Sequence, residues 1–168
     1  MQKTTLVTNL SKKSINETKK ILEQYKLAIL KSKDNSIKAL TEQAYNLVVM
    51  HCMANGIINH TSEIKVEYGS DYGKIYTNDE VIIFNEMGTG IVGKNNPHPK
   101  PTPEFSQWTY DVNEHGEKGW RYPKDDGTFG WTKGLPSRHM FYDTFNEMKD
   151  MVGKTVSIEI YKTTKDLY

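Results

Sequence analysis

Three glycines within six positions constrain this chain more than anything else in it. Glu86-Met-Gly-Thr-Gly-Ile-Val-Gly93 follows the apolar run Val81-Ile-Ile-Phe84 and ends where a proline-rich segment begins. Gly88, Gly90 and Gly93 imply a backbone that bends sharply or is approached closely. A turn without side chains, placed directly after buried apolar residues, admits another segment, a ligand or a neighbouring subunit. Which of the three it admits is the functional question.

The 168 residues suffice for one domain, 1–168, with a hydrophobic core that needs no disulfide or metal. Twenty-two Lys and Arg against 21 Asp and Glu leave a net charge of +1, so the chain lacks the global field that phosphate binding draws on. Cys52 is the one cysteine, which rules out an internal disulfide. It lies in an apolar helical run, and its neighbour His51 points about 100° away, so an ordinary buried thiol is expected. Met1 to Leu10 has no apolar core of the kind a signal peptide carries, and no apolar run approaches the roughly 20 residues of a spanning helix. A soluble protein is expected.

Along the chain, Thr4 to Thr8 is β-branched and suits an edge strand. Ser14-Ile-Asn-Glu17 has the spacing of a capping box, opening a helix with Leu22, Tyr25 and Ile29 on one face. Its lysines Lys19, Lys20 and Lys26 are expected on a solvated face. Lys31-Ser-Lys-Asp-Asn-Ser36 reads as a polar break before a second helix, whose stripe is Ile37, Leu40, Ala44, Leu47, Val48 and His51 and whose stop is Asn55-Gly56. Ile64 to Tyr68 and Lys74 to Thr77 predict an antiparallel hairpin. Asn78-Asp-Glu80 could cap a short helix to about Met87, with a strand nearly as well supported. Pro97, Pro99, Pro101 and Pro103 predict a stiff extended arm, better suited to a spacer or strap than to an SH3-type ligand. Trp108 to Thr132 is aromatic and glycine-rich, and Asp126-Gly127 between β-formers predicts a meander on the main sheet. Its three tryptophans should pack on each other or on a partner. Ser137 is placed to cap a third helix with the stripe Phe141, Phe145, Met148 and Val152. Thr155 to Thr164 is dense in β-branched residues, which favours a strand over a helical continuation. The sum is an α+β fold: N-terminal helices and a C-terminal helix on a small, mostly antiparallel sheet, with a Pro-rich and aromatic β-hairpin insertion over 94–134.

Catalytic and cofactor signals are weak throughout. His98, His115 and His139, with Glu104, Asp111 and Glu114, show no metal-ligand spacing. Gly88-Thr-Gly90 resembles a phosphate cradle only superficially, since Ile91 and Val92 occupy the places of the Lys-Ser/Thr that a P-loop requires. The prolines should also forbid the helix that a dinucleotide fingerprint needs. No Gly-x-Ser-x-Gly elbow exposes a serine. No catalytic residue, metal site or cofactor is expected. The aromatic insertion could instead serve as a stacking platform for glycan or single-stranded nucleic acid; inward-facing tryptophans would argue against it.

The glycine element, taken with Gly116-Glu-Lys-Gly-Trp-Arg-Tyr122 and with Gly130-Trp-Thr-Lys-Gly-Leu-Pro-Ser-Arg138 leading into Met140-Phe-Tyr-Asp-Thr144, resembles a phage family. It is similar to the small neck or tail-component proteins of long-tailed bacteriophages and prophages, of head–tail joining or minor capsid type. The resemblance covers most of the chain. Two departures are Met87, where an aromatic is usual, and His139-Met140, which replaces a proline-containing entry to the last helix. The resemblance implies a non-enzymatic virion protein of the connector stack or tail terminus, working at the neck or upper tail after assembly in the host cytoplasm. Its implied partners are other copies of itself in a closed ring and neighbouring neck or tail proteins, with no membrane and no specific nucleic-acid binding; a monomer alone in solution is compatible. The implied interface residues are Glu86, Gly88, Thr89, Gly90, Ile91, Gly93, Trp108, Trp120, Trp131, Lys133 and Arg138.

Overall fold

The computed structural model describes residues 11–100, 107–112, 114–124 and 126–167. The expected edge strand at 4–8 and the central part of the proline arm lie outside the described residues.

One helix dominates. α1 runs unbroken from Lys12 to Ala54, 43 residues, and at 1.5 Å per residue spans about 64 Å. The break expected at 31–36 does not form. No glycine or proline interrupts the segment, and the serines there do not cap. Ser32 Oγ donates to the Ile29 carbonyl and Ser36 Oγ to that of Ser32, so both hydroxyls are satisfied within the helix. The N-cap is Ser11, whose side chain accepts from Ser14 N–H, three residues before the expected capping box begins. The C-terminus falls at Asn55-Gly56 as expected, with Gly56 at φ 77°.

A 3-10 turn, Ile58–Glu63, leads into β1 (Lys65–Tyr68) and β2 (Gly73–Tyr76), which pair antiparallel with Val66 opposite Ile75. This hairpin lies more open than its alternation suggests: all four residues of β1 are exposed. Asp79 then caps α2 (Glu80–Met87), its side chain accepting from Ile82 N–H. The helical alternative at 80–87 is therefore the one adopted. A six-residue helix, α3 (Gly90–Asn95), follows the glycine turn and stops before Pro97. The prolines shorten that helix but do not forbid it.

The aromatic region forms β3 (Trp120–Pro123) and β4 (Phe129–Thr132), antiparallel around a turn in which Gly127 has φ 77°. This hairpin is a separate two-stranded sheet and does not extend β1–β2, so the expected single sheet is replaced by two. The short strand β5 (Gly134–Leu135) follows.

α4 (Met140–Thr164) remains helical across the stretch expected to be a strand. β-propensity loses there to a tertiary partner, because α4 lies antiparallel along α1. His51 Nε2 meets Glu147 Oε1 at 2.9 Å, and Thr155 Oγ1 meets Gln43 Oε1 at 3.2 Å. The buried positions of α4 are Met140, Thr144, Thr155, Glu159 and Thr164. Of the expected stripe, Phe141 packs against the core and Met148 is half-buried, whereas Phe145 and Val152 are exposed. Ser137 does not cap α4 either; that place belongs to His139, in the left-handed region at φ 38°. The core sits where α1 ends and α4 begins: Val48, Cys52, Ile57, Ile64, Ile82 and Met140, flanked by Tyr45, Val49, Ile75 and Phe141. The fold is α+β.

Candidate functional site

The glycine turn is approached by another segment of the same chain. Thr89 pairs with Leu135 and Gly90 with Gly134 as isolated antiparallel bridges. Gly88 and Gly90 have φ of 83° and 60°, and Gly134 has 108°, all in the region open to glycine. A β-carbon on Gly90 or Gly134 would collide with the other strand's backbone, the Lys133 carbonyl in the first case and the Thr89 carbonyl in the second. Gly93 would strike the backbone of Gly88 and Leu135. The crossing is thus a backbone-on-backbone contact that no other residue type permits on either side.

Two of its N–H groups are committed within the fold. Gly90 N–H donates to the Tyr110 carbonyl at 2.6 Å and Val92 N–H to that of Lys133 at 3.3 Å. Those two main-chain donors are spent on the protein's own carbonyls. Trp108 Nε1 donates to the Gly88 carbonyl at 2.8 Å, its ring tilted against Phe84 at 6.2 Å.

Beside the crossing, Glu86 joins three segments. Its carboxylate accepts from Phe141 N–H (2.9 Å) and Tyr142 N–H (3.1 Å), two of the free donors at the start of α4, where a negative charge also complements the helix dipole. His98 Nε2 lies 3.0 Å from Oε1 of the same carboxylate. Lys100 N–H donates to His98 Nδ1, so Nε2 carries the proton that His98 gives to Glu86. The His98 side chain is only 4% exposed, which fixes the first residues of the proline arm to the body. The Glu86 carbonyl takes the Ser137 hydroxyl, and Asn85 takes Arg138 N–H at 2.7 Å. Both ring nitrogens of His98 and the proton of Ser137 are used within the fold, which leaves no charge-relay arrangement there.

Of the eleven expected interface residues, Gly88, Thr89, Gly90 and Gly93 are buried in the crossing. Glu86, Ile91, Trp108 and Trp120 are partly buried, Trp120 with its ring near His115 at 6.2 Å. Trp131, Lys133 and Arg138 face solvent, and Arg138 Nη1 reaches back to Asn55 Oδ1 at 3.2 Å. The tryptophans therefore part company. Trp108 is tied to the glycine turn, whereas Trp131 is 60% exposed beside Phe129 at 68%. Arg121 stands opposite Trp131 and Pro123 opposite Phe129, so all four lie on one face of the hairpin.

His98, Asn85 and Ser137 were not singled out as site residues by sequence. The one signal for them was a histidine set between two prolines; nothing local announces a partner twelve or more residues away.

Cys52 is fully buried, and burial followed by the Glu86 charge pushes its thiol up to about 11. Asp79 is held below the usual carboxylate range: burial pushes it up, but the His60 ring and the N–H groups of Ile82 and Val81 together outweigh that. Among the described residues no group of three or more His, Cys, Asp or Glu converges as metal ligands, and no helix is long and apolar enough to cross a membrane. Comparison with family models, with curated proteins and with solved structures finds no match to this chain.

Proposed function

We propose that this chain is a non-enzymatic structural protein of a long-tailed phage or prophage, a subunit of the head–tail connector or tail terminus that joins head to tail through contacts with its own copies and with neighbouring neck proteins. The observation that carries the reading is the hairpin face of Phe129, Trp131, Arg121 and Pro123, held out to solvent on a base that the glycine crossing closes. Exposed aromatic rings beside an arginine are typical anchors of protein interfaces. The polar groups that converge nearby, Glu86, His98 and Ser137, hold segments of the chain together. This supports a rigid part with a contact surface, and the family resemblance supplies the setting.

The test is sedimentation of the purified chain with isolated tails and with DNA-filled heads. Co-migration with one particle is expected, and the particle chosen identifies the side it serves. Replacing Phe129 and Trp131 by Ser should leave stability within ~0.5 kcal/mol, as for surface positions generally, and abolish joining of heads to tails. Joined, infectious particles from that variant would sink the proposal.

The same face favours a second reading, a stacking platform for glycan or single-stranded nucleic acid, since flat rings next to a guanidinium suit both. Only Trp131 of the three tryptophans is well exposed, so the platform is narrower than three rings would make it. Binding of such ligands by a chain that ignores both particles, lost with Trp131→Ser, would favour this reading.

A further inference from the structure

Two exposed features of this fold are unsatisfied in complementary ways. The first is the hairpin face. Phe129 and Trp131 are largely in solvent, and the exposed Arg121 and Lys133 make no side-chain hydrogen bond or ion pair among the described residues. The second is an open cleft of about 500 Å³ lined by Glu63, Lys65, Asn78, Asp79, Glu80 and Val81. Its three acids against one lysine leave a net of −2. Asp79 is committed to the α2 cap and to His60, and Glu63 lies 3.5 Å from Lys65 in an exposed pair. Glu80 is exposed and has no side-chain partner among the described residues. Val81 is 38% exposed, so apolar surface lies open beside the carboxylates.

The two features lie at opposite ends of α2. The cleft is built on Asn78 to Val81, where α2 begins, and the hairpin is rooted at the crossing of Thr89 and Gly90, just past its end. The helix between them is about 12 Å long, and the exposed rings show that the hairpin is not seated in its own chain's cleft. Charge then selects the occupant. A guanidinium among aromatic rings suits a surface where carboxylates flank apolar ground: the carboxylates take the N–H fork, and the rings cover the rest. Nucleic acid fits less well. Residues 117–133 carry Lys118, Arg121, Lys124 and Lys133 against Glu117, Asp125 and Asp126, a net of only +1, which is little with which to neutralise a phosphate chain. A neutral glycan would leave Arg121 and Lys133 without a counter-charge.

We infer that the hairpin face of Arg121, Phe129 and Trp131 docks in the acidic cleft of a second copy, with Arg121 and Lys133 set against Glu63 and Glu80 and the rings over Val81. The contact is head-to-tail, because hairpin and cleft are different surfaces of one chain. Repeated, it adds copies until a ring closes or leaves one hairpin and one cleft free at the ends of an open string. It rests on the assembly reading in taking the hairpin face as a surface for other copies, and it adds the surface that receives it.

Charge reversal on the full-length chain tests it. The hairpin variant carries Arg121→Glu and Lys133→Glu; the cleft variant carries Glu63→Lys and Glu80→Lys, all at exposed positions. Sedimentation equilibrium of the wild type should show self-association that rises with concentration and weakens with salt. Each variant alone should associate about tenfold more weakly or worse, with unchanged helical circular dichroism. An equimolar mixture should regain association, because each hairpin then meets a cleft of opposite sign, and that rescue also proves both variants folded. A wild type that stays monomeric at every concentration overturns the inference. So do variants that associate like the wild type, and a mixture that shows no rescue. Hairpin-dependent binding to single-stranded DNA, with self-association untouched in both variants, overturns it in favour of that ligand. A cleft variant that still self-associates while the wild type co-migrates with heads or tails removes the cleft contact alone. A wild type that self-associates through hairpin and cleft but ignores both particles removes the head–tail reading alone.

Discussion

At Gly90 and Gly134 a single methyl group decides whether two strands can cross. Gly90→Val places a β-branched side chain at φ 60° and drives it into the Lys133 carbonyl. Left-handed backbone costs about 1–2 kcal/mol and overpacking about 1–3 kcal/mol, so a loss of roughly 2–5 kcal/mol is expected by urea unfolding. Gly127→Ala is the control. It has a similar φ of 77° but open space around it, so only the backbone cost of about 1–2 kcal/mol should appear. Equal losses from the two variants would mean that the close approach is not what Gly90 provides. The glycine cluster was legible in the sequence as a place of close approach. Its visitor, Lys133 to Ser137, was not, because main-chain contacts some 45 residues apart leave no local pattern beyond a further glycine at 134.

Among the elements, α1 and α4 show where local signals mislead. Asn, Asp and Ser clustered at 34–36 suggest a break, yet a polar stretch without glycine or proline is only a weak stop. The serines bond back to the preceding turn, and their small size suits them to the buried face at 32 and 36. In α4 the β-branched density of 155–164 yields to burial of Thr155, Glu159 and Thr164, a choice made by the partner helix. The stripe of α4 was misread because large residues, Phe145 and Val152, were taken for core, while the small Thr144 and Thr155 fill the buried positions. The two hairpins were legible because their turn residues act within a few positions; for α2 the capping signal at Asp79 was visible, but a strand was nearly as well supported. Gly153 sits within α4 with open space where a β-carbon would stand. Gly153→Ala should therefore stabilise the protein by about 0.5–1 kcal/mol, read as a rise in the urea midpoint; a fall would place an unseen neighbour beside it.

For the whole molecule, the core joins the far end of α1 to the start of α4, and Cys52 reports on its opening. Below pH 9 a thiol raised to about 11 is protonated in both the folded and unfolded chains. As pH climbs from 9 towards 11 the unfolded chain releases that proton first, so the thiol's contribution to stability is complete below 9 and is lost through that window. At pH 8 an aromatic disulfide reagent should react with Cys52 slower by about three orders of magnitude or more in the native protein than in urea, since opening costs at least ~5 kcal/mol. Rapid native labelling would show that the α1–α4 junction opens locally. The apolar helical run around Cys52 had already pointed to a buried thiol; what it could not convey is that this position of the long helix feels the charge of Glu86, where the insertion's root is held.

The pairing of Gly90 with Gly134 makes the intervening chain a closed lobe with adjoining ends, like a bag drawn shut at its string. The scaffold holds that lobe near its root, at the crossing itself and through His98 on Glu86 and Trp108 on Gly88. Lengthening its tip then costs little, about 0.6 kcal/mol for each doubling of a flexible loop, and leaves the helices undisturbed. A part built this way can change the residues at its tip without renegotiating how it folds.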